Sequence, residues 1–305
     1  MTRFPGFILL PLAVACAPVE APPPPLAESA AAPAAESFAS ERIAVEVRGE
    51  GPDVVLVPGL SSAPQVWEST VAAMPGYRYH LVRVRGFGAD DPGANASGEV
   101  LMPVASEIAR YIEEAGLERP AMVGHSLGGS LGIIVAARHP HLVGRLMVVD
   151  MLPFMGPMFA GPGATPESVE PIAAQIRDGI ANAEEERRRQ STERTIAGMV
   201  RTEELRPQAV ATALASDPEL SGRMMYELIT TDLRPALARI EAPLKVLYVR
   251  GPEAPVTDEQ MRAFYEMSYA NAPQAEIVQI PGAYHFIMWD EPETFRRELR
   301  EFLAE

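Results

Sequence analysis

The chain has 305 residues, and its 41 acidic against 26 basic side chains give a formal net charge of −15. Such an acidic surface repels nucleic acid and anionic lipid, so neither is expected as a partner. The one cysteine excludes an internal disulfide, and the five histidines form no ligand-spaced cluster with carboxylates, so no metal or other cofactor is expected.

Residues 1–15 have the composition of a secretory signal. Arg3 supplies one positive charge, an apolar run follows from Phe7 to Leu10, and small residues occupy positions 13 and 15. This segment is too short to span a bilayer stably. It predicts an exported protein.

Cys16 follows this signal directly. Residues 12–16 read Leu-Ala-Val-Ala-Cys and resemble the lipobox of bacterial lipoproteins, in which the cysteine is lipidated and becomes the new N-terminus. Lipidation of Cys16 would give a membrane-anchored lipoprotein of the cell envelope, whereas ordinary cleavage after Ala15 would give a soluble periplasmic or secreted protein. Residues 16–40 are rich in proline and alanine and are predicted to form a semi-rigid linker.

Apolar periodicity predicts that folding begins near Arg42. The predicted strands cover residues 43–47, 54–57, 79–84, 121–123, 143–149, 244–249 and 276–280. The predicted helices cover residues 67–74, 100–115 and 291–303, with one more starting at residue 127. Repeated alternation of strand and helix is typical of the α/β class, with a mostly parallel sheet flanked by helices.

Between residues 153 and 231 this alternation stops, and helical patterns separated by Gly-Pro turns follow. The interpretation is a helical lid inserted into an α/β core of residues 41–152 and 232–305. Six residues in this lid, Glu184 to Arg189, comprise three acids and then three arginines. They predict a solvated helix face with charge pairs four residues apart.

The lid is also rich in methionine and aromatic residues. They concentrate at Phe154 to Phe159 and again at Met224 to Tyr226. Adaptable side chains of this kind suit a pocket for a hydrophobic acyl group. Large apolar residues more often serve to pack a protein's layers together, so these residues are also candidates for packing the lid on the body. The expected ligand is a small molecule with a hydrophobic acyl part.

The stretch from Pro120 to His139 organises the rest of the chain. It reads as a buried strand, a sharp turn and a helix, and Gly124-His125-Ser126-Leu127-Gly128 at the turn fits G-x-S-x-G. In this motif the strand reverses so sharply that only glycines leave room around the serine. The turn also puts Ser126 at a helix N-terminus, where free N–H groups favour developing negative charge.

The assembled pattern resembles the α/β-hydrolase superfamily over residues 42–305. In that superfamily the serine of the elbow is activated by a histidine after the last strand, and an acid orients the histidine. The resemblance implies that Ser126 is the nucleophile and that His285, in the turn Pro281 to Phe286, is the general base. His125 is expected to point elsewhere on the elbow.

The acid has two candidates. The superfamily often has it after the strand at 244–249, but the chain there reads Gly251-Pro252-Glu253-Ala254, with alanine where aspartate is expected. Asp150, at the end of the strand 143–149, corresponds to the acid of some lipases and is the first choice, with Glu253 as the alternative. Asp258 belongs to a capping box at 257–260 and fits a first helical turn better.

The resemblance also implies an oxyanion hole made by the backbone N–H groups of Leu60 and Leu127. The implied function is that of a metal-free serine hydrolase, acting on a carboxylic ester, thioester or lactone through an acyl-enzyme on Ser126. Two alternatives remain: a peroxidase-like or lyase reaction at the same residues, and a non-catalytic protein that keeps the fold for binding.

Overall fold

The computed structural model describes residues 38–251 and 254–304. The predicted signal sequence, Cys16, the predicted linker up to residue 37 and Glu253 lie outside the described residues. No helix within the described ranges combines the length and the apolar character needed to cross a membrane.

Seven strands form one sheet in the described part of the chain. They are β1 (Ile43–Arg48), β2 (Asp53–Val57), β3 (Arg78–Val84), β4 (Ala121–His125), β5 (Arg145–Val149), β6 (Leu244–Tyr248) and β7 (Glu276–Gln279). Their order is β1-β3-β2-β4-β5-β6-β7. The edge pair β1 and β3 is antiparallel, and all other neighbours are parallel. The predicted α/β fold with a mostly parallel sheet is confirmed.

Eleven helices lie in the described ranges. They are α1 (Glu68–Ala73), α2 (Leu101–Glu114), α3 (Leu127–Arg138), α4 (Pro157–Ala160), α5 (Pro166–Ala181), α6 (Glu185–Met199), α7 (Arg206–Ala215), α8 (Pro218–Thr230), α9 (Asp258–Ser268), α10 (Ile287–Asp290) and α11 (Pro292–Ala304). Helix α9 begins at the predicted capping box, where Thr257 Oγ1 accepts a hydrogen bond from Gln260 N at 3.2 Å. The short helix α10 has no counterpart in the sequence prediction.

Both faces of the sheet are covered, and each has its own apolar core. Val55 of β2 belongs to an apolar cluster that includes residues of α2, α3 and α9, whereas its neighbour Leu56 belongs to a second cluster that includes residues of α10 and α11. Successive side chains of a strand point to opposite faces, so a strand between two layers must be apolar throughout. The unbroken apolar run of β2 therefore reflects burial on both sides.

The chain between β5 and β6 is helical, as the sequence predicts. Helices α5 and α8 pack together around Val169 and Ile229, and α6 packs on α7. Glu227 of α8 accepts a hydrogen bond from Leu101 N at 2.7 Å. A free N–H group at the start of α2 is thereby satisfied, and the lid is joined to the body.

Candidate active site

Ser126 lies at the turn between β4 and α3 in a backbone conformation that few residues adopt. Its φ and ψ are 53° and −119°, values that are strained for any residue with a side chain. A Cβ atom on Gly124 would lie 2.1 Å from Gly128 O, and one on Gly128 would lie 2.2 Å from Val57 O. Both glycines of the predicted motif are therefore required by lack of space.

Asp150 and His285 form a close hydrogen-bonded pair. Asp150 Oδ2 accepts from His285 Nδ1 at 2.6 Å. The second oxygen, Oδ1, accepts from Val249 N and from the Tyr265 hydroxyl, both at 3.1 Å. A proton on Nδ1 leaves Nε2 as an acceptor, which is the tautomer that a general base requires. Of the two candidate acids, Asp150 contacts the histidine, and Glu253 lies outside the described residues.

Sheet topology explains how these residues meet. Ser126 follows β4, Asp150 follows β5 and His285 follows β7, and these strands are parallel. The carboxyl ends of parallel strands lie at one edge of the sheet, which is where ligands bind in open α/β folds. Three residues that are distant in the sequence are thus brought to one site.

Ser126, Asp150 and His285 line one cavity of about 410 Å³ together with residues of the lid. No hydrogen bond joins Ser126 Oγ to the His285 ring in the described part of the molecule. Catalytic hydrogen bonds of this kind are often long without substrate and tighten in the bound complex. In the described ranges, no set of three or more histidine, cysteine or carboxylate side chains is arranged to hold a metal ion.

The methionine-rich segments of the lid divide between cavity and core. Met155, Met158 and Met225 line the cavity. Phe154 and Met224 are buried in hydrophobic clusters instead. Some of these side chains therefore line the cavity, and others pack in the apolar core.

The two residues predicted to form an oxyanion hole, Leu60 and Leu127, belong to two different parts of the chain. Leu127 is the first residue of α3, and Leu60 lines the cavity in the loop after β2. Neither backbone N–H group donates a hydrogen bond within the described ranges. The loop approaches the serine closely, since a Cβ atom on Gly59 would lie 3.2 Å from Ser126 Cβ. Two free N–H donors on either side of a candidate nucleophile have the composition of an oxyanion hole.

A model of the alpha/beta hydrolase family matches residues 54–298, which include Ser126, Asp150 and His285. The chain belongs to this family. The pimeloyl-[acyl-carrier protein] methyl ester esterase of Sodalis glossinidius is 28% identical over 236 residues, which are 75% of this chain and 89% of the relative. The sn-1-specific diacylglycerol lipase of Mus musculus is 25% identical over 274 residues, or 83% and 81% of the two chains.

A solved member shows the same fold. The esterase from Exiguobacterium antarcticum superposes with a TM-score of 0.72 at 20% identity, covering 86% of this chain and 96% of the esterase. The likeness in fold therefore covers most of the chain.

His125 has a structural part in this alpha/beta hydrolase that its sequence position did not indicate. Its ring is buried, Nε2 donates to His285 O at 3.0 Å, and the two imidazole centroids are 4.5 Å apart. Burial, and secondly the nearby His285, hold the pKa of His125 well below its usual value. The neutral ring therefore supports the backbone of the turn that carries His285.

Asp290 is a second residue that the sequence did not single out. This buried carboxylate accepts hydrogen bonds from Tyr284 N at 2.9 Å and from Arg201 N at 3.0 Å. Its other oxygen accepts from Thr202 N at 2.9 Å. Asp290 thus joins the turn that carries His285 to the lid segment after α6. Because these contacts span 88 and 89 residues of sequence, no local pattern predicts them.

Proposed function

We propose that the protein is a serine hydrolase that cleaves a carboxylic ester through an acyl-enzyme on Ser126. The observation that carries this proposal is the hydrogen bond of 2.6 Å between Asp150 and His285 at the cavity that Ser126 also lines. A nucleophile, a base and an orienting acid are the three parts that this chemistry needs. The names of the two curated relatives, an ester hydrolase and a lipase, support ester chemistry.

In the first step, Ser126 Oγ attacks the carbonyl carbon of the ester while His285 Nε2 accepts the hydroxyl proton. The Asp150 carboxylate stabilises the imidazolium that forms. The negative charge on the former carbonyl oxygen is stabilised by Leu60 N–H and Leu127 N–H. When the tetrahedral intermediate collapses, the proton on Nε2 passes to the leaving alcohol, and the acyl group remains on Ser126.

In the second step, a water molecule replaces the alcohol. His285 Nε2 accepts a proton from this water as the water oxygen attacks the acyl carbon. The proton then passes to Ser126 Oγ as the carboxylic acid product is released. Every step uses a side chain or backbone group of the chain itself. The proposed mechanism therefore calls for no metal or cofactor.

The acyl part of the substrate is proposed to be hydrophobic. Met155, Met225 and Leu228 contribute apolar, adaptable surface to the cavity that holds Ser126. Each methylene moved from water to such a surface contributes about 0.8 kcal/mol. Esters of longer acyl chains should therefore bind more tightly until the cavity is filled.

The first test is covalent labelling with a fluorophosphonate, followed by mass spectrometry of the peptides. The expected result is one adduct, on Ser126, and hydrolysis of at least one member of a panel of p-nitrophenyl esters. Ser130→Ala is the matched control, because this buried hydroxyl lies one helical turn further along α3. An adduct on another serine, or no turnover of any ester, would contradict the proposal.

We also propose that the chain is exported and attached to a membrane through Cys16. The likeness of residues 12–16 to a lipobox supports this, and residues 16–40 have the composition of a tether. Cys16→Ser is expected to move the protein from the membrane fraction to the soluble fraction without changing its activity per molecule. A mature chain that starts at Cys16 without added lipid mass would refute the anchor and indicate a soluble exported protein.

A further inference from the structure

Helix α6 presents one face to the cavity, and the character of that face changes along the helix. Its cavity-lining residues are Arg188, Ser191, Thr192, Thr195, Ile196 and Met199. Each of these residues lies three or four positions from another member of the set, which is the spacing of a single helical face. The first four are polar and the last two are apolar, so the cavity has a polar end and an apolar end.

The apolar end of α6 is the one near the reacting groups. Met199 O accepts a hydrogen bond of 3.2 Å from Phe286 N, next to His285. Arg188 precedes Met199 by eleven residues, a separation of about 16 Å along a helix axis. Arg188 is therefore remote from the end of α6 that contacts the turn carrying His285.

Arg188 departs from the solvated helix face that the sequence predicted for this run. Its half-buried side chain turns toward α7, and Nη2 donates to Leu214 O and Ser216 O, both at 2.6 Å. These bonds fix the guanidinium at the C-terminal end of α7. The neighbouring Arg189 follows the prediction, because it pairs with Glu186 at 2.8 Å and Glu193 at 2.6 Å on the exposed side of α6.

The charge on Arg188 has no carboxylate partner within the described ranges. Its Nε and Nη1 groups donate no hydrogen bond there either. Among the described residues that line the cavity, Arg188 is the only arginine or lysine, and Asp150 is the only carboxylate. A cation that lines a cavity and keeps unused donors is suited to bind an anion through charge-assisted hydrogen bonds.

We propose that the cavity binds esters that carry a carboxylate at the far end of an apolar chain, with Arg188 as the residue that recognises the carboxylate. Ile196 and Met225 line the apolar path, and the hydroxyl of Thr192 adds a hydrogen-bond donor at the polar end. One cation balances one negative charge, which fits a carboxylate better than a doubly charged phosphate monoester. This inference rests on the proposed ester hydrolase function.

The test compares two series of p-nitrophenyl esters with acyl chains of equal length. One series consists of monoesters of dicarboxylic acids from succinic to dodecanedioic acid, and the other of the neutral alkanoates. In the wild type, the ratio of kcat/KM for charged over neutral ester should rise once the chain is long enough to reach Arg188. A hydrogen bond to a charged group contributes about 1.5–3 kcal/mol, so this ratio should fall by roughly tenfold to a hundredfold in Arg188→Gln.

The measured quantity is the ratio of kcat/KM for the charged ester over that for the neutral ester. A general loss of lid structure in the variant would slow both esters, so it would not by itself lower this ratio. The loss should fall mainly on KM, because the carboxylate is bound alike in ground and transition states. Arg188→Lys keeps the charge and should retain part of the preference. Arg189→Gln, the matched control on the exposed side, should leave the ratio unchanged.

The possible failures are distinguishable. If the wild type hydrolyses the neutral esters but prefers the charged ones at no chain length, the carboxylate site is refuted and the hydrolase function stands. An equal ratio in Arg188→Gln and wild type would likewise refute the role of Arg188. If neither series is hydrolysed, the proposed function itself is wrong.

Discussion

Ser126→Ala is expected to lower kcat for ester hydrolysis by on the order of 10⁶, the scale found when the nucleophile of a serine protease is removed. Alanine removes only the attacking oxygen. It carries the same Cβ atom as serine, so the strained φ of 53° at this position is no worse than before. The protein should remain folded, and the adduct with a fluorophosphonate should disappear.

Steady-state kinetics of Ser126→Ala, His285→Ala and the double variant form the measurement. Nucleophile and base act as one unit, so the double variant should be about as slow as either single variant. Losses that multiply in the double variant would show that Ser126 and His285 do not act together. Retained labelling of Ser126→Ala would show that another residue is the nucleophile.

Much of this fold could be predicted because its signals are local. Apolar runs such as Val54 to Val57 identify buried strands within a few residues, and Gly124 is required by the closeness of Gly128 O in the same turn. The capping box that starts α9 is likewise complete within four residues. Each of these features depends on neighbours along the chain and is therefore visible in the sequence.

Local sequence signals did not decide whether Asp150 or Glu253 is the acid that orients His285. Asp150 and His285 are 135 residues apart in the sequence, and they meet because β5 and β7 lie on the two sides of β6. The same holds for the contacts of Asp290 with Arg201 and Thr202 in the lid. In sequence terms, an aspartate after a strand is equally typical of a turn.

The contacts of Arg188 also could not be predicted from the sequence of its own helix. The three acids and three arginines of Glu184 to Arg189 predict a solvated face, and Arg189 meets this expectation. Arg188 differs because α7 packs against α6 and offers carbonyl groups at its C-terminal end. Which of two adjacent arginines faces a neighbouring helix depends on how the two helices pack, and the charge pattern of one helix contains no information about that.

Asp150→Asn is expected to lower kcat by on the order of 10⁴, the loss measured for amide replacement of the acid in a serine protease triad. The amide NH₂ group would face His285 Nδ1 and favour the tautomer that has its proton on Nε2. In that state Nε2 cannot accept the proton of Ser126. The backbone is expected to tolerate the change, because Asp150 has a φ of 50° and asparagine adopts such values more readily than most residues.

Two further variants separate this chemical effect from structural damage. Tyr265→Phe removes the 3.1 Å hydrogen bond to Asp150 Oδ1 but keeps the carboxylate on His285. Its activation free energy should therefore rise by only ~1 kcal/mol, the contribution of a typical hydrogen bond. Glu253→Gln should leave kcat nearly unchanged. All three proteins must unfold above the assay temperature, so that lost structure is not counted as lost chemistry. If Glu253→Gln is the inactive protein and Asp150→Asn keeps most of its turnover, the acid follows β6, and the bond between Asp150 and His285 serves stability alone.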